Sequence, residues 1–178
     1  MKNGHNKKEL YFIGILPPKG ILAEIEELKK ICMKKFNSKH ALKLPAHITL
    51  IPPFYSNEQK ILSLKAGLSG ILKKDISVEL NGFSYFDKKV IYIDVQKNKN
   101  LFNLKKHIDD KVLIKHKIKT ADINFIPHIT IASKDLTDES FLLSREYFKG
   151  IEYKRSFKVK NIVIFKLEAL GWNKFISL

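Results

Sequence analysis

The chain has 178 residues, 44% of them hydrophobic, which suits one globular domain or two small lobes sharing a core. Its 33 Lys and Arg against 18 Asp and Glu give a formal charge of +15. That charge reads either as a field for phosphate-rich partners or, because Arg145 and Arg155 are the only arginines, as a genome-wide bias toward lysine. One cysteine, Cys32, excludes an internal disulfide, and no apolar run is long enough for a membrane span, so a cytoplasmic monomer is expected.

Residues 10–16 (LYFIGIL) predict a buried strand stopped by Pro17-Pro18. Ile21, Ile25, Leu28, Cys32 and Phe36 recur every three or four residues and predict a helix, with Cys32 as a small buried hydrophobe on its face. Residues 44–51 (LPAHITLI) predict a second strand, stopped by Pro52-Pro53. Ile61, Leu64, Leu68 and Leu72 predict a second helix, weakened by Gly67 and Gly70. Residues 76–86 and 90–95 flank the turn residues Asp87-Lys88-Lys89 and predict a hairpin.

The order then recurs. Leu101, Leu104, Ile108 and Val112 form a helical stripe, and residues 126–132 (IPHITIA) a strand. Thr137 and Asp138 are placed to cap a helix carrying Phe141 and Phe148. Phe157, Val159, Val163, Phe165 and Leu167 alternate as in a strand, and residues 169–177 offer one more. Each half reads helix, His-Ile-Thr strand, helix, strand, strand. This is the signature of a duplicated unit, with repeats over about 18–96 and 98–177 inside one two-lobed domain of residues 1–178.

The tripeptide His-Ile-Thr occurs at 47–49 and at 128–130, each time with a proline one or two residues ahead of the histidine. Side chains alternate along a strand, so His47 and Thr49 share one face and His128 and Thr130 share another. Two such faces meeting across a groove would put two imidazoles and two hydroxyls around one small site. In-line cleavage of a phosphodiester needs a base on the incoming oxygen and an acid on the leaving oxygen. Histidine titrates close enough to neutrality to serve as either. The hydroxyls would hold the non-bridging oxygens, where negative charge collects. This chemistry requires no metal and no cofactor.

Other constellations are incomplete. Residues 67–70 (GLSG) lack the spacing of a nucleophile elbow, and there is no phosphate-binding glycine loop, no HExxH and no Cys/His cluster. His5, His40, His107 and His116 stand singly in polar contexts and read as surface residues.

With H-I-T at 47–49, H-I-T at 128–130, the opening strand LYFIGIL and the strand VIYIDV at 90–95, the chain resembles the two-histidine (2H) phosphoesterase superfamily. That group includes the 2′-5′ RNA ligase-like proteins and the RNA 2′,3′-cyclic phosphodiesterases. The resemblance implies an α+β, bilobal fold with two antiparallel sheets lining a central cleft and helices outside. It implies hydrolysis of a 2′,3′-cyclic phosphate or a 2′-5′ phosphodiester of RNA or nucleotides, with catalytic His47, Thr49, His128 and Thr130. Its alternatives are 2′-5′ RNA ligation and a non-catalytic RNA- or nucleotide-binding module. The motifs are nearly identical, and the lean is toward His128 as base and His47 as acid. Where many relatives carry an arginine beside VIYIDV, this chain has Lys88 and Lys89, a point charge without a bidentate fork. Lys89, Tyr92 and Phe54 are the expected substrate contacts, with Tyr85 and Trp172 as further stacking candidates. The basic stretches at 111–119 and at Lys154, Arg155, Lys158 and Lys160 are candidate cleft lining or phosphate-backbone contacts.

Overall fold

Prolines and hydrophobic alternation set where the strands run. The structure, a computed structural model, describes residues 7–72, 75–87, 89–121 and 124–178. Strand β1 (Glu9–Ile15) ends before Pro17-Pro18, and helix α1 (Lys19–Phe36) starts from Pro18 as its N-cap. β2 (Ile48–Ser56) is followed by α2 (Glu58–Leu68), capped by the Asn57 side chain, which accepts from the Lys60 amide. The hairpin expected from the sequence is β3 (Ser77–Phe86) and β4 (Val90–Val95). Then come α3 (Lys99–Asp109), running into a π-helical turn at Asp110–Ile114, and β5 (His128–Ser133). Helix α4 (Asp138–Lys149) starts in a capping box between Thr137 and Ser140, and β6 (Lys154–Lys158), β7 (Ile162–Glu168) and β8 (Gly171–Ser177) complete the chain.

These strands make two four-stranded antiparallel sheets, ordered β2-β1-β7-β8 and β5-β4-β3-β6. The fold is α+β and bilobal, as the sequence implied. One face of each sheet joins a continuous core with the apolar stripes of the helices, including Ile25, Cys32, Ile61, Leu64, Leu104 and Phe141. Cys32 is fully buried, and burial pushes its thiol up to about 12, which makes it inert packing. No helix among the described residues is long and apolar enough to cross a membrane.

Three elements differ from the sequence expectation. Pro52-Pro53 do not stop β2. Tyr11 pairs with Phe54 and Ile13 with Ile51, so the two prolines together oppose Phe12 in a bulge. β2 lies at the edge of its sheet, where the missing N–H groups break no ladder. The alternation from Phe157 to Leu167 covers two strands in different sheets, because the chain crosses between lobes after Lys158. Helix α2 ends at Leu68 rather than Leu72, and Gly70 beyond it takes a left-handed φ of 69°. Lys88 and His5 lie outside the described residues.

Candidate active site

Strand pleating puts both motifs on the cleft faces of their sheets. Ile48, Ile129 and Ile131 are fully buried in the core, while His47, Thr49, His128 and Thr130 are half-buried. His47 sits one residue ahead of β2, and His128 is the first residue of β5.

The two imidazoles are held alike. His47 Nδ1 lies 2.7 Å from the Pro45 carbonyl, and His128 Nδ1 lies 2.7 Å from the Ile126 carbonyl, in each case two residues back along the chain. A carbonyl can only accept, so each ring donates from Nδ1 and keeps Nε2 as its reactive nitrogen. Aromatic rings fix the planes. His47 packs on Phe12 at 4.6 Å and Phe165 at 5.8 Å between centroids, and His128 packs on Phe86 at 4.9 Å and Tyr92 at 5.0 Å.

Two cavities meet at this place. One, of about 540 Å³, is lined by His47, Thr49, Thr130, Phe12 and Trp172. The other, of about 1010 Å³, is lined by His128, Thr49, Phe86, Lys105, Lys119 and Phe125. Thr49 faces both, so the motifs border one continuous cleft.

Charge distinguishes the histidines. Burial pushes His47 down to about 4 against the pull of its Pro45 bond, and the Lys29 ammonium and His128 lower it further. Burial also lowers His128, but the Ile126 bond and the Asp94 carboxylate, its register partner on β4, oppose that fall. Lys29 is almost fully buried on α1. Its ammonium donates to the Leu44 carbonyl at 2.7 Å and to Glu26 Oε1 at 2.9 Å, and the same oxygen accepts from the Ala46 amide at 2.9 Å. That ion pair braces the segment leading into His47.

The expected substrate contacts fare differently. Phe54 is 2% exposed and packs in the core beside Tyr11, because the two bulges of β2 offset each other and leave this ring on the same face as Ile48 and Leu50. Phe54 is therefore a core residue and not the substrate contact expected from the sequence, and it lines neither cavity. Tyr92 is 6% exposed and stacked on Phe86 at 4.3 Å, so it supports His128 and offers no free face. Lys89 is exposed in the β3–β4 turn, its amide bonded to the Phe86 carbonyl, and lines neither cavity. Tyr85 lies under the Arg145 guanidinium, away from the cleft. Arg155, Lys154 and Lys158 pair with Glu24, Glu152 and Asp75 on the surface. Of the basic stretch at 111–119, Lys119 reaches the cleft, whereas Lys111 donates to the Gly67 carbonyl. Trp172 is the stacking candidate that does line the site. Lys29, Asp94 and the aromatic supports carry no local sequence signal, because only the sheet register brings them to the histidines.

Comparison with known proteins gives a consistent picture. The family model of the 2′-5′ RNA ligase superfamily matches residues 17–169. An inferred phosphoesterase of Geobacillus sp. (strain WCH70) is 30% identical over 135 residues, covering 74% of this chain and 72% of the relative. Another, from Bacillus licheniformis, is 29% identical over 133 residues, covering 72% and 73%. Among solved structures, LigT of E. coli complexed with 3′-AMP superposes with a TM-score of 0.64 at 16% identity, covering 97% of this chain and 98% of that one. TT0787 of Thermus thermophilus superposes at 0.67 with 15% identity, covering 95% and 96%. LigT has also been crystallised with ATP and with NADP+.

Proposed function

Since the chain belongs to the 2′-5′ RNA ligase superfamily, we propose that it hydrolyses the 2′,3′-cyclic phosphate of an RNA end or a nucleotide to a 2′-phosphate, with His47 and His128 as a coupled acid/base pair. The supporting observation is the matched pair of Nδ1–carbonyl bonds, which orients two imidazoles alike on one cleft beside two threonine hydroxyls.

The steps balance without another reagent. A neutral imidazole takes a proton from water, and the water oxygen bonds to phosphorus. The P–O3′ bond breaks, and a protonated imidazole on the opposite side gives its proton to O3′. Each transfer is worth about 10²–10⁴ in rate. Thr49 and Thr130 donate to the non-bridging oxygens as their charge grows. A 5′-hydroxyl in place of water gives 2′-5′ joining by the same two transfers. A proton drawn in by the bound phosphate rests better on His128, beside Asp94, than on His47, beside Lys29.

Chelator-treated protein should convert 2′,3′-cyclic nucleotides or short cyclic-ended RNAs to 2′-phosphates alone, as read by phosphorus NMR. Formation of 3′-phosphates, or no turnover of any cyclic or 2′-5′-linked substrate, would overturn the reading.

A further inference from the structure

The cavity beside His47 extends beyond what a cyclic phosphate occupies. It is lined by His47, Thr49 and Thr130, by the apolar side chains of Phe12, Leu44 and Trp172, and by His40, Lys43 and Lys134. Those three come from two separate loops. His40 and Lys43 bound the short 3-10 helix ahead of the first His-Ile-Thr, and Lys134 follows β5, which carries the second.

Asp135 clamps the loops together. One of its carboxylate oxygens accepts from Ser38 Oγ at 2.7 Å, and the other accepts from the amides of Lys39 and His40 at 2.9 and 2.7 Å. The carboxylate is thereby turned into the loop. Lys43 is held on its other side by the β7–β8 hairpin, since a Cβ built on Gly171 would lie 3.2 Å from the Lys43 carbonyl. Among the described residues neither Lys43 nor Lys134 has a carboxylate partner. Unpaired ammonium groups lining a largely apolar cavity are suited to an anion, and the apolar lining suits a nucleoside.

We infer that this arm is a second phosphate subsite, formed by Lys43, Lys134 and His40, for the 5′-phosphoryl group of the nucleoside whose 2′,3′-phosphate lies between His47 and His128. The inference rests on the cyclic-phosphate reading. It makes the preferred substrate a nucleotide phosphorylated on both sides of its ribose, whether as a 5′-phosphomonoester or as the last phosphodiester of an RNA end. The motif histidines and threonines act on the first phosphate, and the lysines act on affinity through the second.

Trp172 is the single tryptophan of the chain and lines this arm, so its fluorescence reports occupancy directly. The protein is titrated with adenosine 2′-phosphate, with adenosine 2′,5′-bisphosphate and with a dinucleotide ending in a 2′-phosphate. The bisphosphate should bind roughly ten-fold or more tightly than the monophosphate at low salt, as expected for charge-assisted contacts to two ammonium groups. The double variant Lys43→Gln/Lys134→Gln should lose most of that advantage and keep its affinity for the monophosphate. A dinucleotide matching the bisphosphate identifies an RNA end as the source of the second phosphate, and a weaker one identifies a mononucleotide. Equal binding of mono- and bisphosphate by the unaltered protein, or an advantage that survives the double substitution, overturns the subsite. Turnover of cyclic phosphates is measured in parallel. A bisphosphate advantage without turnover upholds the subsite and removes the catalytic reading, whereas turnover without the advantage does the reverse.

Discussion

Gly14 on β1 lies under the first catalytic candidate, and Gly14→Ala tests how tightly that histidine is held. A Cβ built there would sit 2.8 Å from the Ile48 carbonyl oxygen, 3.4 Å from His47 Cδ2 and 3.5 Å from a Phe12 ring carbon. The oxygen is backbone, in a strand paired to β1 through Gly14 and Thr49, so it has no side-chain freedom with which to yield. Restoring ordinary contact requires β2 to move by roughly half an ångström at the residue after His47, an overpacking strain of about 1–3 kcal/mol. The lower chain entropy of alanine returns about 0.5–1 kcal/mol, which leaves a net loss between roughly zero and about 2.5 kcal/mol, centred near 1 kcal/mol. A displacement near 1 Å in a positioned catalytic group costs about 10²-fold, so half of that should lower kcat/KM on a 2′,3′-cyclic nucleotide roughly ten-fold. The paired control is Gly67→Ala within α2, where a Cβ meets nothing within 4 Å. It should stabilise by about 0.5–1 kcal/mol and leave turnover unchanged. Urea denaturation and steady-state turnover on both variants decide the matter. A Gly14→Ala protein with normal kcat/KM would refute the claim that β1 sets the position of His47.

Three further expectations follow from the charges around the pair. Asp94→Asn removes the carboxylate that favours protonated His128, the proton donor, so the alkaline limb of the kcat/KM profile should move to lower pH; an unmoved limb contradicts that role. Both motif histidines titrate below the ordinary 6.5 in the folded chain, His47 at about 4, so the unfolded chain binds more protons between those values. Stability is then full above pH 6.5 and declines as pH falls toward 4, and His47→Gln should flatten that decline in urea midpoints compared at pH 7.5 and 5. Lys29→Met strands the Glu26 carboxylate and loosens the Leu44–Ala46 brace, and should cost about 2–3 kcal/mol in denaturant unfolding; a change below about 0.5 kcal/mol contradicts the bracing role.

The sequence carried the two motifs because their signals are local: a three-residue string, a pleat period of two and buried isoleucines behind each histidine. The strands around them were legible for the same reason. What escaped was set by register between distant segments. The proline pair in β2 reads as a stop unless the strand is known to be an edge, and only a strand that runs on through it carries the inward phase of Ile48 and Leu50 to Phe54. Phe157, Val159, Val163, Phe165 and Leu167 keep one alternating phase interrupted only at Asn161, yet a crossing between sheets lies inside it. Two near-identical tripeptides give little ground for choosing His128 as base, and the charges beside the rings favour the opposite roles, with His128 as the proton donor. Asp94 and Lys29, which set the imidazoles apart, sit on other elements and reach them through folding. Gly14 is one letter in an apolar run, and only the position of Ile48 across the sheet shows why it must be small.

The central claim is that His47 and His128 work as one acid/base unit, and a double-mutant cycle on cyclic-phosphate turnover tests it most directly. His47→Ala and His128→Ala should each fold with Ile48 and Ile129 still in the core and should each lose at least about 10²-fold in kcat. The double variant should fall little below the worse single, because half of a coupled pair has little use alone. A well-folded single variant with near-normal turnover, or losses that multiply in the double variant, would contradict the account.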